Sequence, residues 1–156
     1  MEEKKVLKSV AGTVLEEGVD FFIDVNNQNI LHKLRILPKA KHFTIKPLVL
    51  GTMIRVSEEI IDLVTVSEAD LKGRSYLDVG AEQIIKNRDR MVNIIALAIT
   101  NSESKPPKSL VAFLRKNLTA NEMMGILKVV TRQLDVKSFL SSIMSVKGMS
   151  LLNPKE

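Results

Sequence analysis

Met91 to Thr100 read MVNIIALAIT, a stretch that offers almost no polar side to any face of a helix. It ends a longer helical pattern, residues 77–100, in which Ala81, Ile84, Ile85, Met91, Val92, Ile95 and Ile99 recur on one stripe. Ile94 and Leu97 then widen that stripe until little polar surface is left. A helix that is apolar all round must be surrounded by other elements, so its second half is expected at the centre of a bundle. The same stretch falls well short of the roughly 20 apolar residues that a membrane-spanning helix needs.

What surrounds it follows from the composition. The chain has 156 residues, 45% of them apolar, which is enough for one domain with a real core. There is no Trp, one Tyr and five Phe, so that core is built from Leu, Ile, Val and Met, a composition that favours helices packed on helices. The expected fold is mainly α: a helical bundle with a small N-terminal β element and a C-terminal helical hairpin. Residues 1–18 carry Gly12 and Gly18 as breakers and are expected to form a flexible or partly ordered segment ahead of a single helical domain, residues 19–152.

The remaining elements follow in chain order. VDFFIDV, Val19 to Val25, nearly alternates and ends at Asn26-Asn27, which predicts a strand, with Gly12 to Leu15 as one available hairpin partner. QNILHKLRIL reads as a short helix stopped before Pro38, and KHFTIK as a second strand. From Pro47, Val49, Met53, Val56, Ile60 and Leu63 predict an amphipathic helix to about Val64. A polar linker, VSEADLKGRS, precedes the long helix, and NSESKPPK follows it, with another helix from near Pro107 to Lys116. Thr119 and Glu122 have the spacing of a capping box, so a helix starts at Ala120, with Met123, Leu127, Val130 and Leu134 inward. Asp135 is positioned to cap a last helix with Val136, Phe139, Leu140, Ile143 and Val146 on its stripe and Gly148 as its stop.

Several chemistries find no support in these residues. Without cysteine there is no disulfide, thiolate metal site or thiol nucleophile, and a reducing interior suits the chain. His32 and His42 have no zinc-site spacing, and no cofactor is expected. Glu58, Glu59 and Asp62 share a helix face but lack the Glu-x-x-His of a di-iron set, and read as a solvated polar face. No nucleophile elbow, phosphate loop or dinucleotide fingerprint occurs, so no catalytic residues are assigned and the protein is expected not to be an enzyme. The Asn-Leu-Thr triplet at Asn117 is a glycosylation acceptor only in a secreted protein.

Two groups of residues suit binding. Between Asp24 and Glu58 there is no acid, while Lys33, Arg35, Lys39, Lys41, Lys46 and Arg55 fall there. The five from Lys33 to Lys46 form a candidate site for a polyanion or an acidic partner. Phe43 is the one aromatic among them, so nucleic acid would be held by charge alone. The last helix, with Ser138, Ser141, Ser142 and Ser145 on its solvent face, is a poor DNA-recognition helix. Met124, about 100° round its helix from Met123, and Met149, Leu151 and Leu152, beyond Gly148, either fold onto the bundle or dock a protein partner.

LHKLRILPKAKHFTIKPLVLGTMIRVSEEIIDL and FLRKNLTANEMMGILKVVTRQLDVKSFLSSIMSVKGMSLL, about half the chain, resemble small helical proteins of the tail gene region of phages and prophages, similar in character to tail assembly chaperones. That resemblance implies a non-enzymatic protein in the cytoplasm of a bacterial host, binding the long tape-measure protein while tail subunits polymerise round it. It transfers no defined functional residues. Beside it stands an alternative, a nucleic-acid-binding accessory protein using residues 33–46. Neither reading involves a membrane, and homo-oligomerisation stays open under both.

Overall fold

The computed structural model describes residues 18–26, 38–67, 72–136, 140–141 and 143–146. The fold is mainly α with a small β element near the N-terminus. Strand β1, Val19–Asp24, pairs antiparallel with β2, Ala40–Ile45, in the register Val19 to Ile45, Phe21 to Phe43 and Ile23 to Lys41. Those three pairs lie on the inner face, where Ile23 and Ile45 are fully buried. β1 thus has β2 as its described partner; Gly12 to Leu15 and the helix expected over residues 28–37 lie outside the described residues.

Four helices follow: α1, Leu50–Ile61; α2, Tyr76–Thr100; α3, Lys108–Asn117; and α4, Ala120–Gln133. Val136, Leu140, Ser141 and residues 143–146 are helical again. The starts obey local chemistry. Ser75 accepts a hydrogen bond from the Leu77 amide at the head of α2. Thr119 and Glu122 form the expected capping box, with the Glu122 amide donating to Thr119 Oγ1 at 3.3 Å and the Thr119 amide to Glu122 Oε2 at 2.8 Å. α1 has no cap of its own. Asn101, from beyond α2, accepts from the Val49 amide instead, and Glu103 lies so close to Gly51 that a Cβ there would sit 2.6 Å from its Cγ.

The second half of α2 is the hub. Val92 and Ile94 to Ala98 are buried on every side, packed by α1, α3, α4 and β2. Ala96 and Ala98, with 0% exposure, have no bulk to hold those neighbours away. Phe21, Phe43 and Phe113 stack at 5.8 Å centroid separations between the sheet and α3.

Asparagine side chains fasten the connections, Asn87 and Asn101 each bonding an amide and a carbonyl of the backbone and Asn117 exchanging two bonds with Asn26. Asn87 bonds both the amide and the carbonyl of Val64 at 2.9 Å. Asn101 takes the Val49 amide and donates to the Pro47 carbonyl at 2.8 Å. Asn117 accepts from the Asn26 amide, while its own carbonyl receives the Asn26 side chain, both at 2.9 Å. Asn101 holds the chain before α1 and Asn87 the chain after it, so α1 runs antiparallel to α2. Arg115, late in α3, meets Asp89 at 3.2 Å, so α3 is antiparallel to α2 as well.

The expected faces hold in part. On α1 three of the five expected positions face the core, Val56 buried and Met53 and Leu63 packed against it, while Thr52 is buried in addition and Val49 and Ile60 are exposed. On α4 the expected stripe does face the core, with Val130 and Leu134 buried and Met123 and Leu127 packed against them, and Ile126 and Gln133 are buried beside it. On α2 the first-half stripe residues Ala81, Ile84 and Ile85 face solvent. Val136, Leu140, Ile143 and Val146 are exposed too, against the expectation of a buried stripe. Asp135 has φ +37°, the left-handed backbone that ends a helix, not the extended backbone of a cap for the next one.

Candidate interaction surfaces

The described residues contain no group of three His, Asp or Glu side chains able to hold a metal ion. No helix among them is long and apolar enough to cross a membrane. What they present is surface of three kinds.

The first is apolar and lies where α1 and α2 project from the hub. Ile61 is 80% exposed, Leu77 80% and Ile85 79%, with Tyr76, Ile84, Val64 and Val66 also open. Leu77 and Ile84 stand two helical turns apart on one face of α2, and Ile85 beside them. Val79, on the opposite side of this half-helix, and Asn87, flanking the exposed face one turn beyond Ile84, are buried. The segment is therefore anchored along one edge and bare along the other. The sequence showed these residues as apolar and periodic, but no signal in it said that the stripe would split into a covered and an uncovered part.

The second surface is the expected partner site on α4. Met124 is half-exposed and lines a shallow groove with Leu127, Lys128, Thr131 and Arg132, while Met123 turns inward. Leu140, Ile143 and Met144 are exposed nearby in sequence. Met149, Leu151 and Leu152 lie outside the described residues. On another side of α4, Gly125 sits in an apolar groove of about 250 Å3 with Val19, Phe21, Ile45 and Val129, and its Cα has open space above it.

The third surface is charged. Of the basic candidates, Lys33 and Arg35 lie outside the described residues, and Lys39, Lys41 and Lys46 are exposed at β2. They do not form a field of one sign. Strand pairing lays Asp20 and Asp24 beside them, with Asp20 Oδ1 at 3.2 Å from His42 Nε2 and hydrogen-bonded to Thr44. Lys41 belongs to the inner face and holds its ammonium 4.4 Å over the Phe113 ring. The acid-free run in the sequence is thus partly neutralised by its neighbour strand.

A stronger concentration of charge lies elsewhere. A cleft of about 790 Å3 runs along α2 between α1 and α3, and each helix gives it one face: Arg55, Glu58, Glu59 and Asp62 from α1, Arg90, Asn93 and Leu97 from α2, Lys108, Val111, Ala112 and Arg115 from α3. Glu59 and Asp62, expected as a solvated face, both reach Arg90, at 3.3 and 2.9 Å, and tie α1 to α2. Asn117, the candidate glycosylation site, is buried with its amide engaged by Asn26 and Phe113, which leaves it closed to a glycan in the folded chain.

Comparison with protein-family models, curated proteins and solved structures found no match.

Proposed function

We propose that the protein is a non-enzymatic binding protein of phage or prophage tail assembly, which holds a long helical tail protein of the tape-measure type by its apolar stripe. The observation that carries this reading is the uncovered apolar face of the first half of α2, Leu77, Ile84 and Ile85. Large apolar side chains gathered on one side of a helix, next to a well-packed core, mark a surface built to be covered. An amphipathic helix laid along Leu77, Ile84 and Ile85 would cover it, and the half-exposed Met124 groove offers a second adaptable contact. The resemblance to tail assembly chaperones supplies the kind of partner.

The test is capture of partners by tagged protein after phage induction in its host, with nuclease treatment and washes at low and high salt. The reading predicts recovery of a long helical tail protein that survives both, because apolar burial does not weaken with salt as phosphate contacts do. Leu77→Glu with Ile85→Glu should abolish that recovery. Nucleic acid alone, lost at high salt and dependent on Lys39, Lys41 and Lys46, would contradict it and favour the accessory nucleic-acid reading.

A further inference from the structure

We infer that the cleft between α1 and α3 is a docking slot for an acidic amphipathic helix of a protein partner. The inference rests on the reading of the chain as a partner-binding protein and names the chemistry one of its sites selects.

Two observations carry it. The first is shape. α1 and α3 both run antiparallel to α2, lean on it from either side and leave its Arg90, Asn93 and Leu97 face as the floor of a trough. A fourth helix lying in that trough, at the usual spacing of roughly 8–10 Å from its neighbours, completes a bundle of the ordinary kind. The second is charge. Arg90 is shared by Glu59 and Asp62, and Arg115 is paired with Asp89. Arg55, Lys105 and Lys108 line the same cleft with no carboxylate partner among the described residues, and against them stands Glu58 alone. The floor and the α3 wall carry a narrow apolar row, Leu97, Val111 and Ala112. An occupant that satisfies both features has one apolar row and flanking carboxylates, its acidic side chains meeting Arg55, Lys105 and Lys108.

Titration of the full chain with a labelled peptide of about fourteen residues, a helix roughly 21 Å long made of Leu, Ala and Glu, tests this by fluorescence anisotropy. The expected result is saturable one-to-one binding, weakened by salt, and weakened about tenfold or more by Arg55→Glu with Lys108→Glu. Lys39→Glu with Lys46→Glu should leave it unchanged. Arg55→Ala with Lys105→Ala, which adds no new charge, should weaken it in the same direction. Absence of binding, equal binding of the matching Leu, Ala and Lys peptide, or equal binding of a Glu peptide without its leucines would each overturn the proposal, the last by reducing the slot to a simple anion site. Self-association of the chain abolished by the same Arg55 and Lys108 substitutions would overturn it in favour of a second copy as occupant. The titration uses no tail protein, so failure of the tail-assembly reading leaves its outcome intact, and the reverse.

Discussion

The two halves of α2 are made of similar residues and meet opposite fates. From Val92 to Ala98 isoleucine, leucine and alanine are buried against four elements; from Tyr76 to Ile85 leucine and isoleucine lie open, with Val79 and Asn87 holding one edge. Helix propensity and apolar periodicity do not distinguish them. What does is supply: the core-forming elements of the described chain all converge on the second half, and α1 reaches the first half only with its C-terminal end. Apolar periodicity reports that a face is to be covered and does not report by which molecule.

Truncation should separate the halves most sharply. Ile95→Ala, at 0% exposure in the hub, is expected to cost about 2–5 kcal/mol in chemical denaturation. Ile85→Ala, earlier on the same helix and 79% exposed, should stay within about 0.5 kcal/mol in the isolated protein. Equal costs would erase the comparison. The clamp that joins the halves comes next. Asn87→Ala strands the amide and carbonyl of Val64 and should cost about 1–3 kcal/mol by the same measurement, leaving Arg90 with Glu59 and Asp62 as the tie between the end of α1 and α2.

Smaller effects sharpen the contrast between covered and uncovered surface elsewhere. Gly125 lies within α4 with open space where a Cβ would be. Gly125→Ala should therefore raise stability by about 0.5–1 kcal/mol, read as a higher denaturation midpoint, since a helical glycine is entropically costly. A loss would mean that something already packs closely there. The smallest effect belongs to Glu82, on the exposed half, bonded to Lys86 at 2.5 Å and Arg74 at 2.6 Å. The hydrogen bond from Lys86, then that from Arg74, holds its carboxyl below the usual range. A lowered carboxyl pKa stabilises the fold above the unfolded-state value, and that contribution is lost as pH falls through the folded value. The small melting difference between wild type and Glu82→Gln should therefore shrink on acidification and vanish below the carboxylate range.

Much of the architecture was legible because it depends on local chemistry. The strands, the four helices and the capping box at Thr119 follow from alternation, 3.6-residue periodicity and reciprocal hydrogen bonds between near neighbours. The clamps at the two ends of α1 were not legible, because Asn87 and Asn101 are remote in sequence from the Val64, Val49 and Pro47 that they bond. The charged cleft was not legible either. Arg55, Arg90, Lys108 and Arg115 come from three helices, and only antiparallel packing on α2 brings them together, whereas the run from Lys33 to Lys46 stood out in sequence and its described part, from Lys39 on, met Asp20 and Asp24 across the sheet. Spacing along the chain reveals a one-helix site; a site shared by three helices leaves no such trace.

Amide hydrogen exchange along α2 in the isolated protein at low concentration tests the central contrast most directly. The account predicts strong protection from Val92 to Thr100 and much weaker protection from Leu77 to Lys86, with the weak half gaining protection when a partner is bound. Equal protection of both halves in the isolated chain would show that the first half is already covered, and would contradict the account.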